Sequence, residues 1–338
     1  MMHGNKQLVL LGPIVRVLLL TSMPSLLFSQ VRGGMNYDFL KPTPYEAAIN
    51  SFAILLANPQ REIGGTVGTI FNYDIAKDTI DADLQSMFDG GQRRLRLFLW
   101  TLSSGDGYQG AYIVAPGGAV PQRFLDNLTN LLASIRRIGF EEIIFVFGPL
   151  GDNQPFGTSF PGQLYQDNWT VIQSVRPILL NAGIPYTIDL FNEGIPDPEQ
   201  TQLIAYTQLL WKDYTAAFGS GDTLGFSIIA NNPSRLPQIP LVYGSNPPSV
   251  FDLHIYENPG ATFTTALATL AQLGYRSVDW ILGEVFYDDP ISAEEFRTAM
   301  TSQGRPIRFL VQWPSLDDGN RTYVAPPLFF TAYAIRGY

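Results

Sequence analysis

Two short apolar runs in this sequence each end in a glutamate. Residues 185–191 lead into Asn192 and Glu193, and residues 279–283 lead into Glu284, 91 positions later. A carboxylic acid facing a carboxylate can protonate a leaving oxygen on one side of a substrate while the anion attacks or steadies the opposite side. Other chemistry-bearing side chains stand at comparable places: Arg96 and Trp100 close the run 92–100, His254 and Tyr256 close 250–256, and Trp313 closes 307–313. With no cysteine there is no thiolate nucleophile, disulfide or cysteine metal site. The histidines are His3 and His254 alone, which removes multi-histidine metal centres and leaves one candidate for any Ser-His-Asp arrangement.

Those residues need elements to carry them. Continuous or alternating apolar runs predict strands over residues 33–38, 92–100, 142–147, 185–193, 225–230, 250–256, 279–287 and 307–313. Helical spacing predicts helices over 44–57, 79–88, 121–137, 169–180, 197–218, 264–273, 293–300 and 326–335, the fifth strand alone lacking a clear helix after it. Eight β/α units across one chain predict an α/β fold of the (β/α)8 TIM-barrel class, a single domain over residues 30–338. In such a barrel the carboxyl ends of the strands carry function, and the polar and aromatic residues gather there. Alternation in 92–100 sets Leu95, Leu97 and Leu99 against Arg96, Phe98 and Trp100, so Arg96 points inward and Trp100 reaches the mouth. Tyr37, Phe286 and Tyr287 also fall at or near strand ends.

Composition narrows the partners. The 338 residues carry a formal charge of −9, and an acidic balance argues against nucleic acid and anionic membrane surfaces. Residues 1–29 read as a secretory signal peptide, with Lys6 before an apolar stretch broken by Pro13 and Arg16; an uncleaved membrane anchor is the alternative. The expected location is therefore secreted or periplasmic. No later segment is long and apolar enough to span a bilayer, so no integral membrane partner is implied. Asn127, Asn168 and Asn320 open tripeptides that match glycosylation acceptors.

The ordered set Arg96 with Trp100, residues 189–193 (Asp-Leu-Phe-Asn-Glu), His254-Ile255-Tyr256, Glu284 and Trp313 resembles clan A of the glycoside hydrolases, most nearly the cellulase-like family 5. The resemblance covers residues 33–338. It implies a cofactor-free, metal-free, monomeric retaining β-glycosidase acting on a neutral β-linked glycan, β-glucan or β-mannan first. It implies Glu193 as general acid/base and Glu284 as nucleophile. Asn192 would hold the substrate 2-hydroxyl, Tyr256 and Arg96 would pair with Glu284, His254 would line the sugar site, and Trp313 would floor the ring. Trp100, Tyr37 and Tyr287 complete the expected aromatic binding surface, because apolar sugar faces stack on rings. An arginine beneath Glu284 is expected to keep it ionised, and that charge to raise the pKa of Glu193. Two departures stand out: Gly194 where the family has proline, and Phe147-Gly148-Pro149 where a histidine is common. They motivate an alternative, a non-catalytic carbohydrate-binding barrel. Arg96 could also be purely structural, paired with Asp189.

Overall fold

The computed structural model describes residues 33–36, 69–104, 112–156, 162–313 and 330–338. The expected leader, the helix over 44–57, Tyr37 and Asn320 lie outside them. The described part belongs to one compact unit.

Chain order gives β1 (Gly34–Asn36), α1 (Thr69–Asp89), β2 (Arg94–Leu102), β3 (Ile113–Val114), α2 (Gln122–Ile138), β4 (Glu142–Pro149) and α3 (Gly162–Asn181). It continues with β5 (Tyr186–Asp189), α4 (Thr201–Phe218), β6 (Thr223–Gly225), β7 (Ile228–Ile229), α5 (Ile239–Tyr243) and β8 (Val250–His254). It closes with α6 (Pro259–Gln272), β9 (Asp279–Val285), α7 (Pro290–Gln303), β10 (Leu310–Gln312) and α8 (Thr331–Ala334). The strands pair in the order β6-β5-β4-β2-β1-β10-β9-β8-β7, with β3 added on β2. Every pairing is parallel, as alternating β/α units require.

The hydrogen-bonded ladder is open at one place. β6 pairs with β5 and β7 with β8, and only Phe226 and Ser227 separate β6 from β7, so the expected fifth strand is broken in two. Gly225 turns the chain there with φ of +76°, a conformation that glycine reaches without a Cβ penalty.

Sequence accounts for the elements locally. In α2 the apolar positions Phe124, Leu128, Leu131, Leu132 and Ile135 are buried, and Gly139 ends the helix with φ of +108° and its N–H on the Ile135 carbonyl. At α7, Asp289 caps with its carboxylate on the N–H groups of Ile291 and Ser292, and Pro290 takes the first turn. Several elements differ from expectation. Among the described residues α1 already runs from Thr69, its early turns burying Ile70 and Tyr73; the loop after β2 contains β3; and the fifth unit does carry a helix, the short α5.

Two packed layers result. Leu95, Leu97 and Leu99 face the helices with most of the apolar core, and a smaller inner cluster joins Phe98, Ile144, Val146, Leu224, Val250, Ile281, Phe309 and Val311. Arg96, Asp189, Asp252, His254 and Glu284 are buried above that inner cluster. Asn127 and Asn168 are buried, their amides donating to the carbonyls of Ile70 (2.9 Å) and Asn153 (3.2 Å), so these two glycosylation tripeptides are structural. No helix among the described residues is long and apolar enough to cross a membrane.

Candidate active site

Arg96, the third residue of β2, is fully buried and organises the barrel mouth. Its Nη1 donates to Glu284 Oε1 at 2.7 Å, and its Nη2 donates to Asp189 Oδ2 at 2.7 Å and to Asn192 Oδ1 at 2.8 Å. The two readings of Arg96 are thus combined: it pairs with the structural Asp189 and with the candidate nucleophile. Tyr256 donates from its hydroxyl to the other oxygen of Glu284 at 2.7 Å. Charge-assisted bonds on both oxygens fix that carboxylate in one orientation.

Glu193 lies past the end of β5, in the turn before α4, with φ of +54°. A left-handed conformation at a non-glycine residue is strained and persists only when neighbours hold it. Here Glu193 N–H donates to Ser227 Oγ at 2.7 Å and its carbonyl accepts from Arg235 Nη1 at 2.9 Å. The break between β6 and β7 is what brings Ser227 beneath it. Gly194 donates to the Phe191 carbonyl at 2.9 Å, and a Cβ at 194 would lie 2.7 Å from that carbonyl oxygen and 3.0 Å from the Phe226 ring. Proline would lose the bond and overfill the space.

His254, fully buried on β8, shares its Nδ1 between the carboxylates, 3.0 Å from Glu193 Oε1 and 3.6 Å from Glu284 Oε1. One donor atom from each of Glu193, His254 and Glu284 falls within 4.8 Å of the others, a spacing that would also suit a metal ion. Both Glu284 oxygens already accept hydrogen bonds, from Arg96 and Tyr256, so that carboxylate has little left to offer a metal.

The electrostatics reverse one expectation. Burial opposes charge on His254, but Glu284, Asp252 and Glu193 outweigh it and push the imidazole up to about 10. Burial raises Glu193, yet the His254 hydrogen bond and charge hold its carboxyl below the usual range. Glu284 moves up because burial outweighs His254 and Arg96, with Glu193 adding to the rise. The expected order, Glu193 high and Glu284 low, is thus inverted. The cause is depth: the Glu193 side chain is 32% exposed and touches the imidazole, whereas that of Glu284 is 8% exposed.

The aromatic residues divide. Trp100 stacks on Phe98 at 4.8 Å and 7°, and Trp313 meets Phe98 edge-on at 5.7 Å, so both half-buried indoles flank the inner cluster at the mouth. Gly148 lies under Trp100, where a Cβ would sit 2.2 Å from the indole, so a larger residue there would collide with this ring. Tyr287 is not at the mouth: a bulge in β9 between Leu282 and Glu284 shifts the alternation and sends Tyr287 into the outer core. Phe286 takes the mouth instead, edge-on to Tyr256 at 5.1 Å.

Sequence reasoning missed Asp252, Ser227, Asn231 and Arg235. Asp252 shares strand parity with His254 and was open to detection on that ground. Arg235 and Asn231, which accepts from Tyr256 N–H at 2.9 Å, come from loops with no local signal.

No protein-family model and no curated protein matches the sequence. Solved structures do match its shape. A glycoside hydrolase 5 lichenase from Caldicellulosiruptor, crystallised with cellotetraose, aligns with TM-score 0.55 at 10% identity over 91% of this chain and 93% of that one. The fold is that of the family 5 glycoside hydrolases. A broad-specificity family 5 endoglucanase from Clostridum cellulovorans aligns with TM-score 0.55 at 9% identity, covering 91% of this chain and 94% of that chain. An exo-β-1,4-mannosidase from an Opitutaceae bacterium aligns with TM-score 0.54 at 12% identity, covering 82% of this chain and 58% of that chain.

Proposed function

We propose that the protein is a retaining β-glycoside hydrolase acting on a neutral β-linked glucan or mannan, secreted or periplasmic after loss of its leader. The observation that carries this reading is the approach of the Glu193 and Glu284 carboxylates to within 4.8 Å. Retaining enzymes need carboxyl groups roughly 5–5.5 Å apart, and inverting ones need room for a water between them.

In the first step a Glu284 oxygen bonds to the anomeric carbon, the glycosidic C–O bond breaks, and Glu193 in its protonated form gives its proton to the departing oxygen. In the second, water bonds to the anomeric carbon, its proton passes to Glu193, and the Glu284 ester C–O bond breaks to restore the carboxylate. Arg96 and Tyr256 hold Glu284 for attack and accept its return as an anion. Asn192, fixed by Arg96, faces the substrate 2-hydroxyl, and Trp100 and Trp313 supply the stacking surface.

Reducing-sugar release from β-glucans, β-mannans, xylans and galactans tests the reading. Wild type is expected to act on at least one β-glucan or β-mannan, and Glu193→Gln and Glu284→Gln to fall at least about a thousandfold. The first product observed by NMR should keep the β-anomer. A folded wild type that binds a glycan without releasing product would favour the non-catalytic reading.

A further inference from the structure

Asp252 takes no part in the two steps above, yet it is fully buried on β8, two residues before His254. Its Oδ1 accepts from Gly283 N–H at 2.6 Å. A Cβ at 283 would lie 2.3 Å from both carboxylate oxygens, so the glycine in the β9 bulge lets this carboxylate approach the backbone. Oδ2 of Asp252 has no hydrogen-bond partner among the described residues, and neither has Nε2 of His254. These two atoms lie 3.8 Å apart, deep in the barrel, one able to accept and the other to donate.

Charge balance gives the pair a meaning. Arg96 is the guanidinium in this layer, and it faces Asp189 at 2.7 Å, Glu284 at 2.7 Å and Asp252 at 3.8 Å. One cation facing three buried carboxylates favours a second positive charge beside them. The imidazole is the basic group in reach. It faces Glu193 from the turn after β5, Glu284 from β9, Asp252 on its own strand and, repelling it, Arg96 from β2.

We propose that Asp252 is a positioning residue for the reaction: it holds His254 as an imidazolium, Nε2–H toward itself and Nδ1–H on Glu193. Glu193 then waits as a carboxylate beside a proton that it can take up. Transfer of the Nδ1 proton to Oε1 leaves a neutral imidazole and the protonated acid that the first step consumes. In the second step the proton taken from water returns through Glu193 to Nδ1. This inference rests on the reading of Glu193 as acid/base.

The test uses the scarcity of histidine. With two histidines in the chain, labelling with 15N-histidine yields a spectrum in which the His254 signals are those lost in His254→Gln. In folded wild type both ring nitrogens should stay protonated through neutral pH, titrating well above the ordinary value of about 6.5. Asp252→Asn keeps the shape and removes the charge, so the titration should fall by about one unit or more. Losing a nearby negative charge weakens the hold on the proton that His254 and Glu193 share. The basic limb of the kcat/KM profile should therefore move to lower pH, which a merely structural role would not produce. A wild-type His254 that titrates near its ordinary value overturns the proposal without any variant. A folded Asp252→Asn protein with unmoved titration and unmoved limb does so as well. If wild type hydrolyses no glycan, the spectra still decide the coupling, and that failure counts against the hydrolase reading alone.

Discussion

Arg96 bonds to Glu284, Asp189 and Asn192 at once, so truncating it takes from the buried Asp189 and Glu284 carboxylates the guanidinium bonded to both. Arg96→Met should destabilise the fold by about 3–5 kcal/mol, read as a lowered urea midpoint, and abolish turnover in whatever remains folded. Tyr256→Phe removes one hydroxyl from Glu284 and little else, because the ring still packs on Phe286. That variant should keep its urea midpoint and lose about tenfold in kcat, as expected for one hydrogen bond of about 1.5 kcal/mol in the reacting state. The contrast separates the two partners of one carboxylate: Arg96 serves fold and chemistry together, and Tyr256 serves chemistry.

At the scale of elements, small residues at strand ends decide which side chains can converge. Gly148 on β4 makes room for Trp100 on β2, with a Cβ clash at 2.2 Å. Gly148→Ala should displace the indole, raise KM for long glycans more than it lowers kcat, and quench less Trp fluorescence on ligand binding. Its effect on the urea midpoint should be modest, about 1–3 kcal/mol, since overpacking here meets a half-exposed ring. Gly283 and the broken fifth strand play the same part elsewhere: one admits the Asp252 carboxylate, the other delivers Ser227 to the strained Glu193. Alternation along β2 and β8 was readable because period-two burial is a local property, and Arg96, His254 and Trp100 lie on the faces it assigns. The bulge in β9 is not readable in the sequence, so Phe286 and Tyr287 both read as strand-end aromatics, and the structure turns Phe286 to Tyr256 and Tyr287 into the core.

For the whole molecule, the buried charges make stability depend on pH. His254 moves from 6.5 in the unfolded chain to about 10 in the fold, so its contribution is fully present below about pH 6.5 and is lost as pH rises through about 10. Glu284 and Asp189, both pushed up mainly by burial, act from lower pH: their contribution falls as pH rises from the ordinary carboxylate range through their raised folded values. The thermal midpoint should therefore fall from pH 6.5 toward 10, and His254→Gln should flatten the slope. The sequence by itself determined the barrel, the two glutamates and most of their neighbours, since apolar period, strand-end polarity and residue type are written locally. Only the tertiary structure decided which atoms meet. Arg96 reaches Glu284 across 188 positions and Asp189 across 93, Asp252 approaches His254 through the space that Gly283 leaves, and depth sets the direction in which each glutamate's pKa moves. Those are relations through space between distant strands, and burial and charge act on such distances, not on positions along the chain.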